Sequence, residues 1–223
     1  MGTSERKARD FERREIKILK TASDLFQKKG VDSVKMEEIA EKMEVSVGTL
    51  YQHFKSKNEI YARLFIEKDL ERLNHISQIS PDLPVLEQLR QLYERYIQFY
   101  FENPVAYKIL RSCEKRGGLD QLKPETLEKF KAQRDASLGI LENLLQRGIE
   151  EGVLINVPVS YLSCAGLALA HGAIEMMTAQ YFEGKISDWT NFFSFLGDVL
   201  IRSHTHPEIH PTPPNDSSKM IIS

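Results

Sequence analysis

Cysteine is scarce in this chain of 223 residues, and the two that occur, Cys113 and Cys164, lie far apart. That usage argues against a disulfide framework or a zinc site and fits reduced thiols in a cytosolic helical core. Long hydrophobic runs are missing as well. No stretch reaches the length of a membrane span, and the N-terminus lacks the apolar centre of a signal peptide, so a cytoplasmic protein without membrane contact is expected. Arg6 stands where a myristoylation motif needs Ser or Thr. A net charge of only -2 excludes a generally basic nucleic-acid coat, so any binding to nucleic acid must be local. No alternating strand pattern and no internal repeat compete with the helical periodicity, so the fold class is all-α. There is no H-E-x-x-H pattern and no convergent set of nucleophile, base and oxyanion donors. No metal, cofactor or enzymatic activity is therefore expected.

What is present is concentrated between Met36 and Lys57, which read as two short helices joined by a tight turn. In the first, Ile39, Ala40 and Met43 share a face, while Glu37, Glu38, Glu41 and Lys42 cover the other. Ser46 offers a hydroxyl cap, so a second helix begins at Val47 after a break at Glu44 and Val45. That helix, Val47 to His53, is read as turning Leu50 and Phe54 inward and Thr49, Tyr51, Gln52 and His53 outward. Hydroxyl, amide and imidazole groups with little charge suit hydrogen bonding to phosphates and base edges. Taken singly, Tyr51 also has a reading as a partly buried packing residue, and Gln52 and His53 as solvated ones; their conjunction with the turn and Lys57 favours DNA. An earlier helix, from about Phe11 to Lys29, carries Ile16, Ile18, Leu19, Ala22, Leu25 and Phe26 at intervals of mostly three and four, and Gly30 stops it.

Ala22, Leu25, Phe26 and Gly30, then Ile39 and Ala40, Val45-Ser46, Gly48-Thr49-Leu50-Tyr51, His53-Phe54, Ser56 and Lys57 together resemble the DNA-binding domain of TetR-family transcriptional regulators. The resemblance covers roughly Phe11 to Ile60, about a quarter of the chain. It implies an N-terminal three-helix helix-turn-helix domain joined to a larger helical ligand-binding and dimerisation domain. It also implies that Val47 to His53 lies in the major groove of a double-stranded operator. Thr49 and Gln52 would then meet bases or phosphates, with Val47 and Gly48 approaching the bases beside the Ser46 cap. Tyr51 and His53 would grip the backbone, and Lys57 would add a phosphate contact at the start of the next helix. Two positions depart from the family pattern. Lys35 replaces the usual Ser or Thr cap and places a cation where phosphate could lie, and Glu44 replaces a common turn glycine. A non-glycine residue forced to positive φ there carries strain on the order of 1 kcal/mol or more. Arg6, Lys7, Arg9, Arg13 and Arg14 form an N-terminal basic cluster that either adds phosphate contacts or is a solvated, frayed terminus.

Beyond residue 56 the pattern is helix after helix. A long helix from about Lys57 to Ile79 ends at Ser80-Pro81-Asp82-Leu83-Pro84. Leu86, Leu89, Tyr93, Tyr96, Ile97 and Tyr100 form the next stripe, Pro104 opens another helix, and Arg116-Gly117-Gly118 makes a loop. Pro124 starts a helix that ends near Gly152. Two last helices run from about Pro158 to Glu183 and from about Ser187 to His204. The first is rich in small residues, Gly166, Ala168, Ala170, Gly172, Ala173 and Ala179, which allow another helix to approach. The second carries Phe192, Phe193, Phe195, Leu196, Val199, Leu200 and Ile201, more than a single stripe needs, so a homodimer through these two helices is expected. The domain reading is 1–56 for the arm and helix-turn-helix, 57–203 for the effector and dimerisation domain, and 204–223 for a flexible tail holding His204, His206 and His210.

A small-molecule effector is expected among the middle helices, where Tyr96, Tyr100, Tyr107, Cys113, His171, Met176 and Met177 can line a largely apolar cavity. Each is also an ordinary core residue of a helical bundle. His171 and Glu175 sit four apart, and a satisfied buried histidine with a nearby carboxylate explains them more simply than a ligand set. The reading is thus a dimeric regulator, by family resemblance a repressor released from a palindromic operator by a small apolar effector. Its alternative is a small-molecule binding or sequestering protein whose DNA-binding domain is vestigial.

Overall fold

The computed structural model describes residues 3–114, 119–179, 181 and 184–205. Among these residues the secondary structure is helical, with one isolated antiparallel bridge between Leu154 and Thr205 and no strand. The helices are α1 (Thr3–Lys29), α2 (Met36–Lys42), α3 (Val47–His53), α4 (Lys57–Ile76), α5 (Val85–Glu102), α6 (Pro104–Glu114), α7 (Pro124–Glu150), α8 (Val159–Thr178) and α9 (Trp189–His204). None of the described helices is long and apolar enough to cross a membrane.

α1 begins well before Phe11. Its first turns hold Glu5, Arg6, Lys7, Ala8 and Arg9, which favour helix without burying a face, so apolar periodicity registers only later. Ile16 points to solvent, against the expectation that it joins the core, whereas Ile18, Leu19, Ala22 and Phe26 are buried. α4 ends three residues short of Ile79, because the Ile79 N–H bonds the Ile76 carbonyl and tightens the chain into a turn ahead of Pro81.

The chain divides into two compact units, Met1–Asn74 with Glu102–Ser137, and His75–Phe101 with Leu138–Ser223. The division does not follow a cut at residue 56: α6 and the first half of α7 group with the helix-turn-helix. In the first unit Ile18, Ala22, Phe26, Ile39, Leu50, Phe54 and Ile60 make the core of α1 to α4, and the rings of Phe65 and Phe130 meet at 4.8 Å. The second unit is built on Leu89, Leu92, Tyr93, Leu141, Leu145, Leu162 and Leu200.

His204 and Thr205 are not part of a tail. His204 is the last residue of α9 and is buried, with Nε2 3.1 Å from the Leu162 carbonyl and Nδ1 2.7 Å from the Ser203 hydroxyl. Its own carbonyl accepts the Ile155 N–H at 2.9 Å, and Thr205 forms the bridge to Leu154. Local composition favours a tail there, yet these tertiary bonds anchor the backbone. His206, His210 and the remaining tail residues lie outside the described residues.

Candidate nucleic-acid interface

The turn between α2 and α3 is closed by backbone bonds from Glu44 N–H to the Glu41 carbonyl and from Val45 N–H to the Ala40 carbonyl, both 3.0 Å. Glu44 has φ of 55°, the left-handed region that favours glycine, so this turn carries the strain anticipated at that position. The Ser46 hydroxyl accepts the Thr49 N–H at 3.0 Å and caps α3, and the two hydroxyls lie 2.8 Å apart. Leu50 and Phe54 are buried and seat the helix on α1 and α2. Tyr51 is 46% exposed, Gly48 and Gln52 are exposed, and Val47 and Thr49 are half-buried. A short rod therefore presents hydroxyl, amide and bare backbone to solvent over an apolar base. Lys35 is exposed beside the start of α2. Its side chain makes no cap, and its backbone N–H instead donates to Glu38 Oε1 at 3.2 Å.

Two expected contact residues face elsewhere. His53 is not outward: it is 2% exposed, and its ring lies 4.0 Å from that of Phe11. On a seven-residue helix the position after Gln52 turns toward α1, where Phe11 and Glu15 cover it. Nδ1 is buried without a hydrogen bond, 4.0 Å from a Glu15 oxygen, and burial lowers the imidazole pKa despite that carboxylate. Lys57 is not extended toward a phosphate. Its Nζ donates to the carbonyls of Val31, Asp32 and Val34 at 3.3, 3.3 and 3.0 Å and lies 5.4 Å from the centre of the Tyr61 ring. The loop after α1 leaves these carbonyls pointing at one spot, and an ammonium supplies three donors to it. Sequence reasoning missed Lys123, whose Nζ donates to the His53 carbonyl at 2.6 Å across 70 residues of chain. No local pattern signals such a contact.

The expected effector residues are contributed by both units. Tyr96, Tyr100 and His171 come together in the second unit. The Tyr96 hydroxyl is 2.6 Å from His171 Nε2, their rings stack at 5.9 Å, and Tyr100 meets Tyr96 edge-on at 5.1 Å. Tyr107 and Cys113 lie on α6, which groups with the first unit, and both are buried. Met177 is buried but Met176 is exposed, as neighbouring residues on a helix point about 100° apart. Glu175, the imagined partner of His171, is exposed. In the first unit a cavity of ≈ 270 Å³ is lined by other residues, among them Gln27, Leu64, Lys68, Asn103 and Ile109.

Comparison with known proteins agrees with this arrangement. Residues 18–64 match the family model described as bacterial regulatory proteins, tetR family, and residues 82–175 match one described as tetracyclin repressor-like, C-terminal domain. An HTH-type transcriptional regulator of Staphylococcus aureus strain USA300 is 31% identical over 111 residues, 49% of this chain; the chain spans 57% of that relative's length. The crystal structure of the TetR-family transcriptional regulator PfmR from Thermus thermophilus superposes with a TM-score of 0.61 at 25% identity, covering 83% of this chain and 97% of that one. The transcriptional regulator FadR from Bacillus subtilis, solved in complex with stearoyl-CoA, shares the fold at a TM-score of 0.61 and 19% identity, covering 83% of this chain and 97% of that one. The chain belongs to the TetR family of bacterial regulatory proteins.

Proposed function

We propose that the protein is a dimeric, sequence-specific DNA-binding transcriptional regulator, a repressor released from a palindromic operator by a small, largely apolar effector. The observation that carries this reading is α3. A capped helix whose exposed residues are Gly48, Tyr51 and Gln52, with Val47 and Thr49 half-buried, over a base of Leu50 and Phe54 has the build of a groove-reading element. Ser46, Thr49 and Gln52 serve bases and phosphates, Tyr51 and Lys35 serve the backbone, and the exposed bases of α1 supply counterion release. His53 and Lys57 support the reading helix from within the protein and leave the list of contacts.

Dimerisation places two such helices about 34 to 36 Å apart, one turn of duplex DNA. The reading is supported by the uncovered side of α8 and α9, where Tyr161, Leu169, Met176 and Phe195 are all exposed. The Tyr96, Tyr100 and His171 cluster supports an effector site with an apolar wall and polar tips. Fatty acyl-CoA, the ligand class of the FadR neighbour, is the first probe to try.

The test is selection of bound fragments from a random duplex pool at fixed salt. An inverted repeat should be enriched, and Tyr51→Ala should weaken binding to it by about tenfold or more while the fold persists. Effector affinity without salt-sensitive, sequence-dependent DNA binding would sink the regulator and favour a sequestering protein.

A further inference from the structure

Glu59, on the first turn of α4, is buried despite its carboxylate. Its Oε2 accepts the backbone N–H of Lys123 at 2.8 Å, and its Oε1 accepts the Thr126 hydroxyl. Lys123 immediately precedes α7, whose first residue is Pro124. A carboxylate thus sits at the positive end of α7 and takes up the Lys123 N–H, one of the donors that the helix itself leaves without a partner, together with a first-turn hydroxyl. From the same residue, the Lys123 ammonium reaches the carbonyl of His53, the last residue of α3. A helix end leaves its final carbonyls unpartnered, and a cation there is favoured by the helix dipole. Asn58 Nδ2 donates to Gln121 Oε1 at 3.2 Å alongside. The end of α3, the start of α4 and the start of α7 are therefore joined through two charged side chains.

We propose that Lys123, buttressed by Glu59, is a positioning residue for DNA reading: it fixes the C-terminal end of the reading helix to the start of α7. α7 belongs to the first unit as far as Ser137 and to the second from Leu138, where Leu141 and Leu145 enter that unit's core. This inference rests on the regulator reading. It assigns Lys123 a role inside the protein rather than on the phosphates.

Three full-length proteins decide it, namely wild type, Lys123→Met and Lys123→Arg, assayed on the duplex that wild type selects from a random pool. Lys123→Met should weaken binding about tenfold, with the slope of log affinity against log salt unchanged and Lys123→Arg recovering part of the loss. In the free protein, the backbone amides of Tyr51 to Phe54 should exchange faster in Lys123→Met, while those of α2 are unaltered. A slope smaller by about one would make Lys123 a phosphate contact and overturn the proposal. Wild-type affinity and exchange in Lys123→Met would overturn it too, leaving the regulator intact. Failure of wild type to select any sequence would instead remove the regulator reading on which the proposal depends.

Discussion

His53 is a buried imidazole packed at a tilt against Phe11, with an orphaned Nδ1 and a pKa lowered by desolvation. The folded state therefore resists protonation, while the unfolded chain titrates near its usual value of about 6.5. Stability from this group is present above that pH and is lost as pH falls through the depressed folded value. His204, lowered by burial as well, acts in the same direction. His53→Phe keeps the ring contact and removes the orphan, so thermal melts from pH 7 to pH 5 should show a smaller loss of stability in the variant, with operator binding retained. Loss of binding at neutral pH would return His53 to the interface. Lys57 makes the opposite case, because its cation binds carbonyls of the loop after α1. Lys57→Met should destabilise the protein by roughly 1–3 kcal/mol in urea melts, leaving several carbonyls short of a donor.

At the scale of elements, Gly166 shows how a sequence cue can be right in kind and wrong in partner. Its smallness admits a close neighbour, and that neighbour is Tyr93 of α5 in the same unit. A methyl group at position 166 would meet the Tyr93 hydroxyl at 2.0 Å and its ring carbons at 2.6 and 2.8 Å. The ring is 1% exposed and has little room to withdraw. Gly166→Ala is expected to destabilise the second unit by roughly 1–3 kcal/mol or more, measured by chemical denaturation. Near-neutral behaviour would mean that α5 and α8 can separate freely. The limits of α2 and α3 were legible because apolar spacing, the Ser46 cap and the turn are local properties. The start of α1 was not, since a solvated stretch of good helix formers has no buried face to impose a period.

For the whole molecule, one uncovered surface bears on assembly. α8 exposes Tyr161, Ala165, Ala168, Leu169, Gly172 and Met176 at helical spacing, and Phe195 of α9 is 59% exposed. Leu169→Asp should convert a sedimenting dimer into a monomer and weaken operator binding, because two half-sites are no longer engaged together. A variant that still sediments as the dimer would move the interface off α8. Division into domains was only partly legible. A cut at residue 56 follows the end of the helix-turn-helix pattern, but α6 and half of α7 group with the first unit through contacts such as Phe65 with Phe130.

Periodicity, capping and turn chemistry, all read within a few neighbouring residues, were enough by themselves to determine a helical chain and the capped α3 with Leu50 and Phe54 beneath it. Tertiary structure alone decided where polar side chains spend their hydrogen bonds. His53 went inward under Phe11, Lys57 to the carbonyls after α1, and Lys123 to the end of α3. A long charged or aromatic side chain takes its partner from whichever element folding brings within reach, and that element can be 70 residues distant.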